Sequence, residues 1–306
     1  MDAIGRMWLS LDGLSIGDSF GETFFTSPDE VLRRVSRREL PVAPWTYTDD
    51  TEMALSIVEI LSERGLIDQD LLAARFAKRM NFNRNYGKGT YALLCGVKDG
   101  LDWRTLIRIG FRGMGSFGNG AAMRVAPLGA FLADQPLGVV CEQARLSAEV
   151  THGHPEGIAG AIAVAAAAAL AWQRRDAVGP LGPSLIAAVR DAVPPGYTRD
   201  GIAEALVVSS DADIVAAAEA LGNGSGVTAA DTVPLCLWIA AHAAEGFEQA
   251  LWRTVSALGD RDTTCAIVGG ILALRAGPDG IPKRWLQSRE ALPIGPGVSE
   301  PAKRRR

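Results

Sequence analysis

The chain has 306 residues, of which 48% are hydrophobic and 22% charged, a composition typical of a globular protein with one large domain or two small ones. The formal net charge of -4 gives no electrostatic reason to expect nonspecific binding to DNA or to an anionic membrane. The first ten residues lack a basic stretch followed by an apolar block, so we expect no signal peptide. Four scattered cysteines without a C-x-x-C pair indicate reduced thiols in a cytoplasmic protein, rather than disulfides or a zinc site.

Helical patterns dominate, because apolar residues recur at three- and four-residue steps and strand-like alternation is almost absent. The uncharged, alanine-rich stretch 157–173 falls short of a membrane span and is interpreted as a buried helix. Segments 179–199 and 222–231 are rich in Gly and Pro and are predicted to be connections. The predicted helices are 51–64, 71–80, 147–150, 158–172, 202–208, 212–221, 233–245, 247–257 and 263–275.

These elements predict an all-α fold, a compact single-domain helical bundle over residues 1–293. Many helices have Gly and Ala where a bundle normally has Leu, so closely spaced helices are expected. Residues 294–306 are predicted to be a disordered tail because of their Gly, Pro and basic composition. We expect the protein to be a monomer without a membrane partner.

Two clusters of acids and threonines stand directly in front of apolar helices. Helix capping is the simpler explanation of each, but a cap needs only one such side chain. Adjacent carboxylates in a confined site repel one another unless a cation neutralises them, and four carboxylates balance two divalent ions. All-oxygen ligands without Cys or His favour Mg²⁺ first, then Mn²⁺ or Ca²⁺. The clusters are Thr48, Asp49, Asp50 and Thr51 in "YTDDTEMALSI", and Asp260, Asp262, Thr263 and Thr264 in "GDRDTTCAIVGGILAL".

A third segment, "GMGSFGNGAAMRVAPLG" at 113–129, contains four glycines within eight residues. Such a loop exposes backbone N–H groups and could hold a phosphate group. A plain helix-to-helix connection is the alternative. Arg124 at the end of the segment could pair with an acid.

Eight segments together resemble the ADP-ribosylglycohydrolase family, which includes dinitrogenase reductase-activating glycohydrolase and the ADP-ribosyl-acceptor hydrolases. The resemblance covers nearly the whole chain, and the paired T-D-D and D-x-D-T-T motifs around G-N-G-A-A-M-R are its most specific part. In chain order the segments are "GLSIGDSFGETFF" (13–25), "YTDDTEMAL" (47–55), "NYGKGTYALL" (85–94), "GSFGNGAAMRVAPLG" (115–129), "THGHPEGIAGA" (151–161), "DTVPLCLW" (231–238), "GDRDTTCAIVGGILA" (259–273) and "GIPKRWL" (280–286).

The resemblance implies a compact all-α domain with two Mg²⁺ ions, or Mn²⁺, in a central cleft. It implies that the metal ligands are Thr48, Asp49, Asp50, Asp260, Asp262 and Thr263. It also implies that Gly115, Ser116, Phe117 and Asn119 hold the diphosphate and its neighbouring ribose, that His152 lines the cleft, and that Gly226 and Val227 meet the adenosine end.

The implied reaction is hydrolysis at the anomeric carbon of the terminal ribose, which removes ADP-ribose from a modified protein, polymer or nucleic acid. Asp49 or Asp50 would position or deprotonate the attacking water. Some relatives have an additional acid where this chain has Phe25, and Glu22, one helical turn earlier, is a third candidate.

The acceptor stays open among Arg, Ser, poly(ADP-ribose), acetylated ADP-ribose and a nucleic-acid base. Nitrogenase-type members have D-I-G where this chain has Asn85-Tyr86-Gly87, which disfavours arginine. Two alternatives come from other classes of protein: a non-catalytic ADP-ribose-binding protein and a structural, crystallin-like member. Both leave the intact ligand clusters unexplained.

Overall fold

The computed structural model describes residues 1–293, and within this range the chain forms helices and no β-strand. The predicted all-α fold is confirmed, and the tail predicted at 294–306 lies outside the described residues. The α-helices are α1 (Ala3–Glu22), α2 (Pro28–Arg37), α3 (Asp49–Arg64), α4 (Gln69–Arg79), α5 (Lys88–Lys98), α6 (Trp103–Ile109), α7 (Ala126–Phe131), α8 (Leu137–Glu149), α9 (Pro155–Gln173), α10 (Pro183–Ala192), α11 (Tyr197–Glu204), α12 (Ile214–Leu221), α13 (Ala229–Ala241), α14 (Phe247–Ser256), α15 (Arg261–Ala276) and α16 (Lys283–Ser288).

Helix α9 lies in the middle of the core, where it contacts α7, α8, α10, α13 and α15. Its length and composition would suffice to cross a membrane, but 78% of its apolar window is buried inside the protein. Its alanines from Ala165 to Ala169 have no exposed surface. The uncharged stretch is therefore a buried core helix, as predicted.

Helices α1 and α15 pack with their backbones almost in contact, because glycines recur at every fourth position of α1. A Cβ atom on Gly13, Gly17 or Gly21 would lie 2.3, 2.0 or 2.2 Å from a carbonyl oxygen of α15. The oxygen facing Gly17 belongs to Cys265. Residues at i, i+4 and i+8 share one helix face, so the three glycines form a continuous seam. The seam places the C-terminal half of α1 against the first turns of α15.

Both predicted connections, 179–199 and 222–231, contain helical residues, so these two predictions are wrong in part. Helix α10 forms within 179–199 because Pro183 begins it and Leu185, Ile186 and Val189 are buried on one face. Helix α13 begins at Ala229, inside the second predicted connection, where the Thr228 side chain caps it. It also ends four residues earlier than predicted.

Candidate metal centre and cleft

The two acid clusters meet in one cleft although some 200 residues separate them in the chain. The cleft has a volume of about 330 Å³. Its wall combines the first turns of α3 and α15 with the glycine-rich loop. The sequence-predicted residues that line it are Asp49, Asp50, Ser116, Phe117, Asn119, His152, Val227, Asp260, Asp262 and Thr263.

Asp18 joins these clusters, and the sequence reasoning missed it. Carboxylate oxygens of Asp18, Asp50 and Asp262 all lie within 4.8 Å of one another, and all three residues are buried. Asp18 accepts hydrogen bonds from the backbone and hydroxyl of Thr48, at 3.0 and 2.8 Å, and from those of Thr51, at 3.1 and 2.5 Å. It therefore holds the start of α3 against α1. The only signal in the sequence was an acid directly flanked by small residues within a largely buried helix.

Helix capping accounts for only part of the two clusters. Thr48 is the N-cap of α3, and its hydroxyl accepts from the Asp50 N–H at 3.4 Å. Asp260 occupies the N-cap position of α15, but its side chain makes no capping hydrogen bond. Asp50 is buried, and its Oδ1 has no hydrogen-bond partner in the part of the chain that the structure describes. A buried carboxylate oxygen without a partner is costly, so the carboxylates need another explanation.

The electrostatics of the cluster match a site for a hard cation. Burial raises the pKa of Asp18 to about 6, and burial followed by the charge of Asp18 raises that of Asp49 to about 8. Burial, and then the neighbouring carboxylates, raise the pKa values of Asp50 and Asp262 well above the ordinary range. Among the described residues, no Lys or Arg forms an ion pair with these four acids. A divalent cation would neutralise the crowded carboxylates and give the Asp50 Oδ1 a partner.

Asn119 ties the glycine-rich loop to the second acid cluster. Its side-chain amide donates to Asp260 at 2.8 Å and to Thr232 at 3.1 Å. Its backbone N–H donates to the Val227 carbonyl at 3.3 Å. Asn119 therefore orients a candidate metal ligand, a contact additional to the diphosphate or ribose contact that the resemblance implied.

Two glycines predicted to bind substrate do not line the cleft. Gly115 has a φ of +75°, and a Cβ there would lie 2.5 Å from the backbone of Gly153, so this glycine allows two loops to pack closely. The Gly226 N–H donates to the Asp231 carboxylate at 2.6 Å. Both glycines shape loops whose neighbours face the cleft. In the loop itself, the N–H groups of Ser116 and Phe117 have no acceptor in the described part of the chain.

His152 lies under the glycine-rich loop and lines the cleft. Its ring is buried, with Nδ1 2.7 Å from the Thr151 hydroxyl. Burial, followed by the charge of Arg124, lowers the pKa of His152 to about 3, so the ring is neutral at physiological pH. His154 instead caps α9, because its Nδ1 accepts from the Glu156 N–H at 3.2 Å. The two histidines of the H-G-H segment thus have separate roles.

Glu22 ends α1 beside the cleft rather than in its wall. Its Oε1 accepts a hydrogen bond from Asn85 at 2.8 Å, and Asn85 lines the cleft. Burial, followed by the charge of Asp18, raises the pKa of Glu22. Phe25 is 49% exposed, and its ring lies 4.9 Å from the Arg261 guanidinium. Glu22 therefore interacts electrostatically with the acid cluster, and Phe25 contributes no acid to it.

Comparison with known proteins agrees with this architecture. The family model for ADP-ribosylglycohydrolase matches residues 4–300. The chain belongs to the ADP-ribosylglycohydrolase family. ADP-ribosylhydrolase ARH3 of Homo sapiens is 30% identical over 329 residues, covering 94% of this chain and 90% of that protein. The same protein of Mus musculus is 28% identical over 95% of this chain and 85% of its own length.

A solved structure described as an ADP-ribosylglycohydrolase-related protein complex has the same fold. Its TM-score is 0.65 at 24% identity, over 94% of this chain and 93% of that one. Family membership and the named hydrolase relatives make this ADP-ribosylglycohydrolase a glycosidase-type hydrolase. Its buried acidic triad could hold a metal ion.

Proposed function

We propose that this protein removes ADP-ribose from a modified acceptor in a Mg²⁺-dependent reaction, by hydrolysing the bond at the anomeric carbon of the terminal ribose. The observation that carries the proposal is the buried Asp50 oxygen, which has no hydrogen-bond partner among the described residues and lies in a cluster of carboxylates open to a cleft. Two Mg²⁺ ions, with Mn²⁺ as a substitute, would neutralise this cluster, orient the sugar hydroxyls and stabilise charge that develops as the bond breaks.

The chain's own residues would hold those ions at the ends of two helices. The ligands we propose are Thr48, Asp49 and Asp50 at the start of α3 and Asp260, Asp262 and Thr263 at the start of α15. Asp18 is an additional ligand or anchor, since it is buried beside Asp50 and fixes Thr48. Helix termini hold side chains rigidly, which suits a site whose ligand geometry must be maintained.

The glycine-rich loop is suited to the diphosphate. Within the described residues, the N–H groups of Ser116 and Phe117 have no protein acceptor, and neutral His152 lies beneath them. Val227 is 57% exposed, and its carbonyl accepts a hydrogen bond from Asn119; its side chain would meet the adenosine end. These groups would bind and orient the ADP-ribose unit without taking part in proton transfer.

A carboxylate next to the reacting sugar would position or deprotonate the attacking water. Asp49 and Asp50 line the cleft, whereas Glu22 reaches it through Asn85. The raised pKa of Glu22 favours a general base, because a base works best with a pKa near the operating pH. We assign this role to Glu22, with Asp49 or Asp50 as the alternative.

The test is release of ADP-ribose from a panel of acceptors, measured with Mg²⁺ and with EDTA. The panel contains ADP-ribosylated serine and arginine peptides, poly(ADP-ribose), acetylated ADP-ribose and ADP-ribosylated DNA. We expect Mg²⁺-dependent release from at least one of them, with arginine the poorest. Tight binding of ADP-ribose without release from any acceptor would support a binding protein instead.

A further inference from the structure

Arg124 is completely buried, yet no carboxylate pairs with it among the described residues. The sequence had suggested an ion pair with an acid, and that prediction is wrong. The guanidinium donates to the Thr151 hydroxyl at 2.8 Å and to the Ser147 carbonyl at 3.1 Å, and it lies 4.5 Å from the Phe76 ring. Its Nε has no hydrogen-bond partner within residues 1–293. Burying a charge without a counter-ion costs free energy, so the buried position of the Arg124 guanidinium needs an explanation.

The hydrogen bond to Thr151 has a direct consequence for the next residue. A guanidinium can only donate, so the Thr151 oxygen accepts from Arg124 and keeps its single proton for another partner. The nearest acceptor for that proton is Nδ1 of His152, at 2.7 Å. No carbonyl in the described chain accepts from the Thr151 hydroxyl. An Nδ1–H could donate to the second lone pair of the Thr151 oxygen, but the buried hydroxyl proton would then have no acceptor in the described chain. Acceptance by Nδ1 satisfies both groups and puts the proton of a neutral imidazole on Nε2.

Nε2 of His152 points at the glycine-rich loop. It lies 3.5 Å from the ideal Cβ position of Gly118 and 3.4 Å from that of Gly120. A Cβ on Gly120 would also lie 3.2 Å from Cε1, so a side chain there would crowd the ring. No protein group accepts a hydrogen bond from Nε2 in the described residues, and His152 belongs to the cleft wall. The ring nitrogen opposite Thr151 is thus free to donate into the cleft.

We propose that Arg124 and Thr151 are positioning residues that fix His152 in the neutral Nε2–H tautomer, so that the ring donates a hydrogen bond to an anionic oxygen of a ligand. Burial and the nearby guanidinium keep the pKa of the ring low, and it therefore stays in this form across the physiological range. The tautomer is a property of the free protein. Its use toward a diphosphate rests on the proposed function.

The first test is a ¹⁵N–¹H NMR spectrum of the full chain labelled at histidine, which has only three imidazole rings to assign. His154→Gln and His242→Gln each remove one ring and leave the signals of His152. We expect Nδ1 of His152 to be unprotonated and Nε2 to be protonated at neutral pH. A protonated Nδ1, or an imidazolium at neutral pH, would overturn the proposal.

The second test compares Thr151→Val with Thr151→Ser. Valine keeps the shape but removes the hydroxyl, so we expect a mixture of tautomers and ADP-ribose binding about tenfold or more weaker, the worth of one hydrogen bond to a charged group. Serine keeps the hydroxyl and should restore both the tautomer and the affinity, while Mg²⁺ binding is unchanged in both variants. An unchanged tautomer in Thr151→Val would overturn the proposal.

If Thr151→Val does not fold, the wild-type spectrum and Thr151→Ser still decide the assignment. Failure of the wild-type protein to bind ADP-ribose would contradict the proposed function. A protonated Nδ1 in a wild-type protein that does bind ADP-ribose would overturn this inference alone. The two failures are therefore distinguishable.

Discussion

Asp50 is the residue whose surroundings point most directly to a cation. Its carboxylate is buried, one of its oxygens has no hydrogen-bond partner among residues 1–293, and burial and then its neighbours raise its pKa well above the usual range. Asp50→Asn should therefore lower turnover at least about 100-fold, the upper end of what partners of metal ligands cost when removed. In EDTA at about pH 8, the same variant should unfold at an equal or higher temperature, because it removes a carboxyl group that is costly to ionise in this buried position.

A matched control is Asp176→Asn, which changes an acid that is 85% exposed and distant in sequence from the clusters. It should keep wild-type turnover and wild-type stability. Thermal unfolding with Mg²⁺ and with EDTA separates the two variants, since only Asp50→Asn should lose the stabilisation by Mg²⁺. Full activity in Asp50→Asn would argue that this carboxylate is not a ligand.

Glu22 gives a second prediction at the residue scale. If it is the general base, Glu22→Gln should lower turnover by about 10² to 10⁴ with ADP-ribose binding retained, since the amide keeps the shape and removes the basicity. Asn85→Gly should cause a smaller loss, because glycine tolerates the φ of 60° at this position but cannot hold Glu22.

The control for Glu22→Gln is Glu63→Gln on the outer surface of α3, which should be nearly silent. Single-turnover hydrolysis at saturating Mg²⁺ measures the chemical step in all three variants. A nearly unchanged rate in Glu22→Gln would transfer the role to Asp49 or Asp50.

The sequence identified the acids that stand in recognisable clusters, but not the isolated ones. Asp49, Asp50, Asp260 and Asp262 were predicted to converge, and they line one cleft. Asp18 was missed because its only neighbours in the chain are small or apolar residues, and its partners lie 30 and 33 residues away. Which nitrogen of a histidine is protonated, or which glycine faces the cleft, likewise depends on contacts that the chain order does not reveal.

At the scale of elements, the seam between α1 and α15 brings Asp18 close to Asp262 in the acid cluster. Gly17→Ala would place a methyl group 2.0 Å from the Cys265 carbonyl, so the two helices must move apart. We expect the free energy of unfolding to fall by about 1–3 kcal/mol, the usual effect of overpacking, and Mg²⁺ affinity to fall with it. Urea denaturation and calorimetry measure the two quantities.

Gly138→Ala is the matched control for the seam, because a Cβ at this position of α8 meets nothing within 4 Å. Alanine there should leave Mg²⁺ affinity unchanged and stabilise the helix by at most about 1 kcal/mol. If Gly17→Ala behaved in the same way, the close approach of α1 and α15 would not be needed for the site.

Helices with regular apolar spacing were predictable, whereas a helix buried on all sides and a short helix between Gly and Pro residues were not. Helix α3 and helix α15 were found within two residues of their true starts, since their apolar residues recur regularly. Helix α1 was not predicted, because it is buried on nearly all sides and rich in Gly and Ser, so its pattern has no polar face. Helix α10 was missed because the Gly and Pro residues on either side of it are typical of a connection.

At the scale of the whole molecule, the acid cluster should make the metal-free protein sensitive to pH. The pKa is about 6 for Asp18 and about 8 for Asp49 in the folded chain, against about 3.9 in an unfolded one. The folded state therefore holds protons that the unfolded state releases, and these acids lower the free energy of unfolding as pH rises from about 4 to about 8. Denaturation in EDTA across this range measures that slope.

Excess Mg²⁺ should abolish this pH dependence of the free energy of unfolding, because the metal binds the ionised carboxylates and displaces their protons. The stabilisation by Mg²⁺ should accordingly be larger at about pH 8 than at about pH 5. Asp49→Asn is the control. In EDTA, its free energy of unfolding should fall less steeply with pH than that of the wild-type protein. An identical slope with and without Mg²⁺ would mean that these acids do not share a metal.

Calorimetric titration of Mg²⁺ into the EDTA-treated full chain tests most directly whether the two acid clusters form one metal centre. We predict saturable binding of two ions per chain in the wild-type protein, and loss of at least one of them in both Asp50→Asn and Asp260→Asn. The two acids lie at opposite ends of the chain, so loss of both ions in either single variant would require a shared site. Absence of Mg²⁺ binding to the wild-type protein, or unchanged binding in both variants, would contradict the metal centre.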